Sequence, residues 1–240
     1  MGLIRSCDKS DLVDCLLELS DRAESSSAPL VQAKILDGAA IVRMLRPGPA
    51  RTFGEYAKNV FMPYVRKEAC ESEVCRIDIV WDRFIPGSLK TETRNKRGSG
   101  TKIQLAPSTE IPKEAWQKFL SNSENKRKLF ELLADEISSA TIPGVQLIST
   151  KHKDAVSSTR DDMDILRPCN HEEADTRILL HVADAANQGI TRVLVRSRDT
   201  DVLVLCVANL GNIPGLEELW VSTGTSSYQK YLAVHELTQG

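Results

Sequence analysis

A chain of 240 residues with 41% hydrophobic side chains has enough apolar material for one large packed domain or one and a half ordinary ones. Its 31 Lys and Arg against 33 Asp and Glu give a formal net charge of -2, which excludes a generally basic nucleic-acid binder and leaves room for a local basic patch. No stretch approaches the roughly 20 uninterrupted apolar residues of a membrane helix, and Arg5, Asp8 and Lys9 place charge where a signal peptide is apolar, so an intracellular protein, nuclear or cytoplasmic, without a membrane partner is expected.

Residues 9 to 22 predict a short lead-in helix with an apolar stripe of Leu12, Leu16, Leu17 and Leu19, broken by Ser25, Ser26 and Ser27. From Val31 the pattern changes. Ala33 to Leu36 reads as a strand, Asp37 and Gly38 as a turn, and Ala39 to Leu45 as a helix stopped by Pro47 and Gly48. Thr52 to Lys67 carries Phe53, Tyr56, Val60, Phe61 and Tyr64 at helical spacing, and Cys75 to Trp81 alternates as a strand that ends on Asp82. Lys90 to Lys102 is basic and reads as a helix passing into a Gly-Ser-Gly loop, followed by two helices within Pro112 to Ser139. Val145 to Ser149 is then a strand, Asn170 to Asn187 a helix, Arg192 to Ser197 a strand and Glu218 to Ser222 another. Strands separated by helices imply a mostly parallel sheet in an α/β domain, here spanning residues 31 to 240 after a lead-in of residues 1 to 30.

The six cysteines contain no Cys-x-x-Cys pair, so neither a zinc site nor a disulfide framework is expected, and the four histidines lack metal-ligand spacing. Trp81, Trp116 and Trp220 sit in apolar runs and are expected in the core.

Ligands of an open parallel sheet bind beyond the carboxyl ends of its strands. Acids fall at that location: Asp37, Asp82, and the pair Asp199 and Asp201 separated by one residue. A further cluster, His171-Glu172-Glu173-Ala174-Asp175, lies at a helix start, where Asn170 is a candidate cap and Glu173 occupies the capping-box position. Each group alone is accounted for by capping or by a solvated turn. Together they form a carboxylate cluster, which needs either a cation or dispersal because like charges raise one another's pKa. Carboxylate oxygens suit hard ions such as magnesium or manganese, which act on phosphates.

The order of these motifs is similar to that of the PIN-like nuclease superfamily, and within it the core of the flap endonuclease and XPG-type 5′ nucleases. The resemblance rests on Leu36-Asp37-Gly38-Ala39, on Val80-Trp81-Asp82 followed by Ser88-Leu89-Lys90 and Arg94-Asn95-Lys96-Arg97, on Glu173-Ala174-Asp175, and on Asp199-Thr200-Asp201. It covers residues 31 to about 225. The strings HEEADTR, RDTDVLVL and SLKTETRNKRGSG also resemble an often multi-copy, mobile-element-associated group of animal proteins of that superfamily.

The resemblance implies that Asp37, Asp82, Glu173, Asp175, Asp199 and Asp201 hold two Mg2+ or Mn2+ ions about 4 Å apart, which activate water against a DNA or RNA phosphodiester. Glu172 and Asp175, three residues apart, share a helical face, so Glu173 is assigned by resemblance and Glu172 is held in reserve. Lys90, Arg94 and Arg97, at i, i+4 and i+7, form one basic face. By resemblance Lys90 and Arg97 contact the scissile phosphate, with Arg94 as support. The resembling enzymes carry a further Asp in a Gly-x-Asp segment before a helix-hairpin-helix element, so a C-terminally truncated copy is expected. The alternative is a PIN-like module that binds nucleic acid or protein without turnover, or a nonfunctional truncated copy.

Overall fold

The computed structural model describes residues 9–18, 20, 23–85, 102–112, 116–225 and 228–238. Strand β1 (Glu24–Ser25) is followed by β2 (Ala33–Asp37), β3 (Arg76–Val80), β4 (Gln146–Lys151), β5 (Asp154–Ser157), β6 (Arg192–Arg196), β7 (Glu218–Thr225) and β8 (Tyr228–Ala233). They form one eight-stranded sheet in the order β1-β8-β7-β6-β2-β3-β4-β5. The central pairings β7 to β6, β6 to β2, β2 to β3 and β3 to β4 are parallel; β4 to β5, β7 to β8 and β8 to β1 are antiparallel. The sheet is therefore mixed with a parallel centre, as the alternation of strands and helices requires.

Helices cover both faces. One face carries α2 (Gly38–Met44), α3 (Phe53–Tyr56), α4 (Met62–Ala69), α5 (Trp116–Ser121) and α6 (Ser123–Ser139), packed on Leu36, Ile77, Ile79 and Leu147. The other carries α1 (Lys9–Leu17), α7 (Ala174–Asn187), α8 (Thr200–Asn209) and α9 (Val234–Leu237), with their apolar sides on Ala33, Ile35, Val193, Val195, Leu219 and Val221. The split follows the pleat, because odd and even positions of each strand face opposite layers. Ile178 and Val182 of α7 are fully buried, and each contributes about 1.5–3 kcal/mol by leaving water.

Several expectations are corrected. The lead-in helix stops at Leu17, and β1 pairs with β8, which ties the N-terminal segment to the same sheet. Between α3 and α4 the chain forms a π-helical turn, Ala57–Phe61, inside what periodicity reads as one helix. The antiparallel strands β5 and β8 and helix α8 are additional elements. Trp220 is only partly buried, with its indole N–H on Glu218 Oε2 at 2.8 Å. Trp81 and Trp116 do lie in the core.

Underneath α7 lies a buried ionic network. Arg76 donates to both oxygens of Asp78 at 2.8 and 2.7 Å, and its third nitrogen is 2.7 Å from Asp184. Arg160 clasps Asp184 at 2.6 and 3.0 Å, and His181 Nδ1 is 2.6 Å from Asp78. Asp78, Asp184 and His181 are fully buried. Burial pulls the Asp78 carboxyl upward, but Arg76 and His181 outweigh it and hold the group down to about 2. The network ties β3 to α7 and to the segment carrying Arg160.

Candidate metal centre

The strand order reverses at β2. From β2 the chain moves outward through β3 to β4, then returns to place β6 on the opposite side of β2. The crevice beyond the carboxyl ends of β2 and β6 is the switch point at which open α/β sheets bind ligands. Four chain segments reach it.

Asp37 ends β2. Asp37 and Gly38 form no turn here: Asp37 caps α2, its Oδ1 accepting the Ala40 N–H at 3.1 Å. Gly38 is required for another reason, since a Cβ there would lie 2.1 Å from the Trp81 ring. That ring stacks on Phe130 at 4.6 Å, its indole N–H donates to Ser149 Oγ at 2.9 Å, and the Trp81 backbone N–H donates to Thr150 Oγ1 at 2.8 Å. The end of β3, and with it Asp82, is fixed by those contacts.

Asp82 reaches across to α7, where its Oδ1 accepts the Ala174 N–H at 3.3 Å. The expected capping is therefore replaced by a tertiary one. Glu173 occupies the cap position without a side-chain cap bond, and Asn170 lies outside the helix. Arg83 reinforces the junction: its backbone N–H donates to the Glu172 carbonyl at 2.8 Å and its guanidinium to the Cys169 carbonyl at 3.3 Å.

Asp199 caps α8 by accepting the Asp201 N–H at 3.0 Å. Ser197, fully buried, links the two strand ends: its hydroxyl donates to Asp37 Oδ2 at 3.1 Å and accepts the Asp199 N–H at 3.2 Å. Sequence reading missed Ser197, although a serine two residues before an aspartate at a strand end is a recognisable hydroxyl turn.

Oxygens of Asp175, Asp199 and Asp201 lie within 4.8 Å of one another. Asp37, Asp82 and Glu173 are outside that tight group but act on it electrostatically. Burial first, then the charges of Asp199, Asp37, Asp82 and Glu173, push the Asp175 carboxyl up to about 7. Burial and the charge of Asp82 raise Asp37 to about 6, against the hydrogen bonds from Ala40 and Ser197. Lys90, Arg94 and Arg97 lie outside the described residues, and Glu172 contributes its backbone carbonyl to the bond with Arg83.

A divalent cation fits this donor set. All the donors are carboxylate oxygens, the chemistry of hard ions, and the strongest charge influences on Asp175 come from other acids, a repulsion that a bound cation would relieve. No helix among the described residues is long and apolar enough to cross a membrane. No protein-family model matches the chain, and no curated protein matches it.

Proposed function

We propose that this protein is a metal-dependent nuclease that hydrolyses DNA or RNA phosphodiester bonds. The observation that carries the reading is the convergence of Asp175, Asp199 and Asp201, from two separate helices, at the switch point of the sheet. Asp175, Asp199 and Asp201 would hold a divalent ion, magnesium or manganese, and by the resemblance Asp37, Asp82 and Glu173, whose charges act on Asp175, would contribute to a second. Such ions supply a nucleophilic water at neutral pH and neutralise the charge that grows on the phosphate oxygens.

The chain's own contribution is orientation. Asp37, Asp82 and Asp199 each commit one oxygen to a backbone N–H, which fixes the carboxylate before any ligand arrives. Ser197 keeps Asp37 and Asp199 in one relation by bonding to both strand ends. Preorganisation of this kind lowers the cost of assembling the charged site during reaction.

The same three hydrogen bonds favour a second reading, a binding module in which those carboxylates are caps and nothing more. Cleavage separates the two. Purified protein incubated with labelled single-stranded and duplex oligonucleotides is expected to cleave them with magnesium or manganese and to lose cleavage in EDTA. Asp199→Asn combined with Asp201→Asn is expected to abolish the activity with an unchanged circular dichroism spectrum. Nucleic-acid binding that persists without cleavage under any divalent ion would establish the binding module instead.

A further inference from the structure

A cavity of about 160 Å³ opens next to the acids, between α2 and the carboxyl ends of β6 and β7. Its wall on one side is apolar, formed by Ala40, Ile41 and Met44; on the other lie Ser197, Arg198 and Ser222. Ser197 is the residue bonded to Asp37 and Asp199, so cavity and acidic cluster share a wall. None of the residues lining the cavity is acidic, in contrast to the cluster it adjoins.

We propose that this cavity is a nucleobase subsite, which receives the heterocycle of the nucleotide whose phosphate meets the divalent ion that Asp175, Asp199 and Asp201 would hold. The inference rests on the nuclease reading and adds the part of the substrate that the acids do not contact.

Three features select a base. Pockets for drug-sized ligands span about 300–1,000 Å³, so this smaller space suits a single flat heterocycle better than a peptide or a length of oligonucleotide. An apolar wall facing a polar edge matches a base, whose faces are apolar and whose rim carries donors and acceptors. Ser222 is 2% exposed and its hydroxyl has no hydrogen-bond partner among the described residues, an arrangement that leaves both donor and acceptor capacity unspent. Arg198 is exposed on the rim between Ser197 and Asp199, where a guanidinium meets the phosphate joining this nucleotide to its neighbour.

The test titrates the metal-free protein with AMP, GMP, CMP and UMP, and with ribose 5-phosphate as the base-free control, followed by 1H–15N NMR. Nucleotides are expected to bind at least tenfold tighter than ribose 5-phosphate and to shift the amides of Ala40, Ile41 and Ser222. Ser222→Ala is expected to lose about tenfold in nucleotide affinity, the worth of one hydrogen bond. It should keep its thermal stability, because the deleted hydroxyl has no partner to strand. Ala40→Leu, which narrows the cavity from the helix side, should weaken nucleotides and leave ribose 5-phosphate unaffected. Equal binding of nucleotides and ribose 5-phosphate, or full nucleotide affinity in both variants, overturns the subsite. The titration needs neither metal nor turnover, so base-dependent binding without cleavage removes only the nuclease reading, and cleavage with base-independent binding removes only the subsite.

Discussion

Two groups of carboxylates around the same sheet meet opposite fates. Asp78, fully buried on β3, is held down to about 2, whereas Asp175, only half-buried at the start of α7, is pushed up to about 7. Burial raises both, so burial does not decide the outcome; the sign of the neighbouring charge does. Around Asp78 stand Arg76 and His181, with Arg160 completing the network through Asp184. Around Asp175 stand Asp199, Asp37, Asp82 and Glu173. One region meets its carboxylates with cations of the same chain, and the other sets acid against acid, a repulsion that a bound cation would relieve.

The comparison can be broken at its paired end first. Asp78→Ala leaves the buried Arg76 and His181 facing a missing partner and is expected to cost about 3–5 kcal/mol in urea unfolding. A cost below 1 kcal/mol would show that the network does not act as a unit. At the acidic end the expectation reverses. Asp199→Asn with Asp201→Asn should abolish cleavage, a loss beyond about 10²–10³-fold, while stability in EDTA stays level or rises, because like-charge repulsion has been removed.

Between the regions sits the joint of Gly38 and Trp81. Gly38→Ala places a methyl group inside contact distance of the indole and is expected to destabilise by about 1–3 kcal/mol. Because Trp81 precedes Asp82 and Gly38 follows Asp37, magnesium affinity should weaken in parallel, measured by the metal dependence of the melting temperature.

The smallest effect is the dependence on pH. Asp37 and Asp175 have folded pKa values above the ordinary 3.8, so protons bind the folded state more tightly than the unfolded one. Their stabilising contribution is complete below that ordinary value and is lost as pH rises through about 6 and about 7. Asp175 is half-exposed, and solvent screening reduces its share. Asp78 behaves in the opposite sense, contributing above its ordinary 3.8 and losing that contribution as pH falls through about 2. Urea titrations in EDTA at pH 5 and pH 8 should show the loss at the higher pH, and magnesium should raise stability more at pH 8 than at pH 5.

The strands β2, β3, β4, β6 and β7 and the helices between them were legible because continuous apolar runs and helical spacing report burial locally. Asp199 and Asp201 were legible as candidate ligands because two acids after an apolar run mark a strand end. The antiparallel strands β5 and β8 were not, because Asp154–Ser157 and Tyr228–Ala233 carry mixed polar residues whose strand form comes from a neighbour's hydrogen bonds. Asp78 looked like an ordinary strand interior, since only Arg76 is a local partner, two positions away, whereas His181 is 103 positions distant.

The sequence alone determined an α/β layering and the placement of acids at strand ends, because alternation and spacing act over a few residues. Tertiary structure alone decided that Asp82 caps α7, that Ser197 joins Asp37 to Asp199, and that Asp175 faces its fellow acids. Those outcomes depend on which strands lie side by side, and the return of β6 to the flank of β2 is a property of the whole sheet.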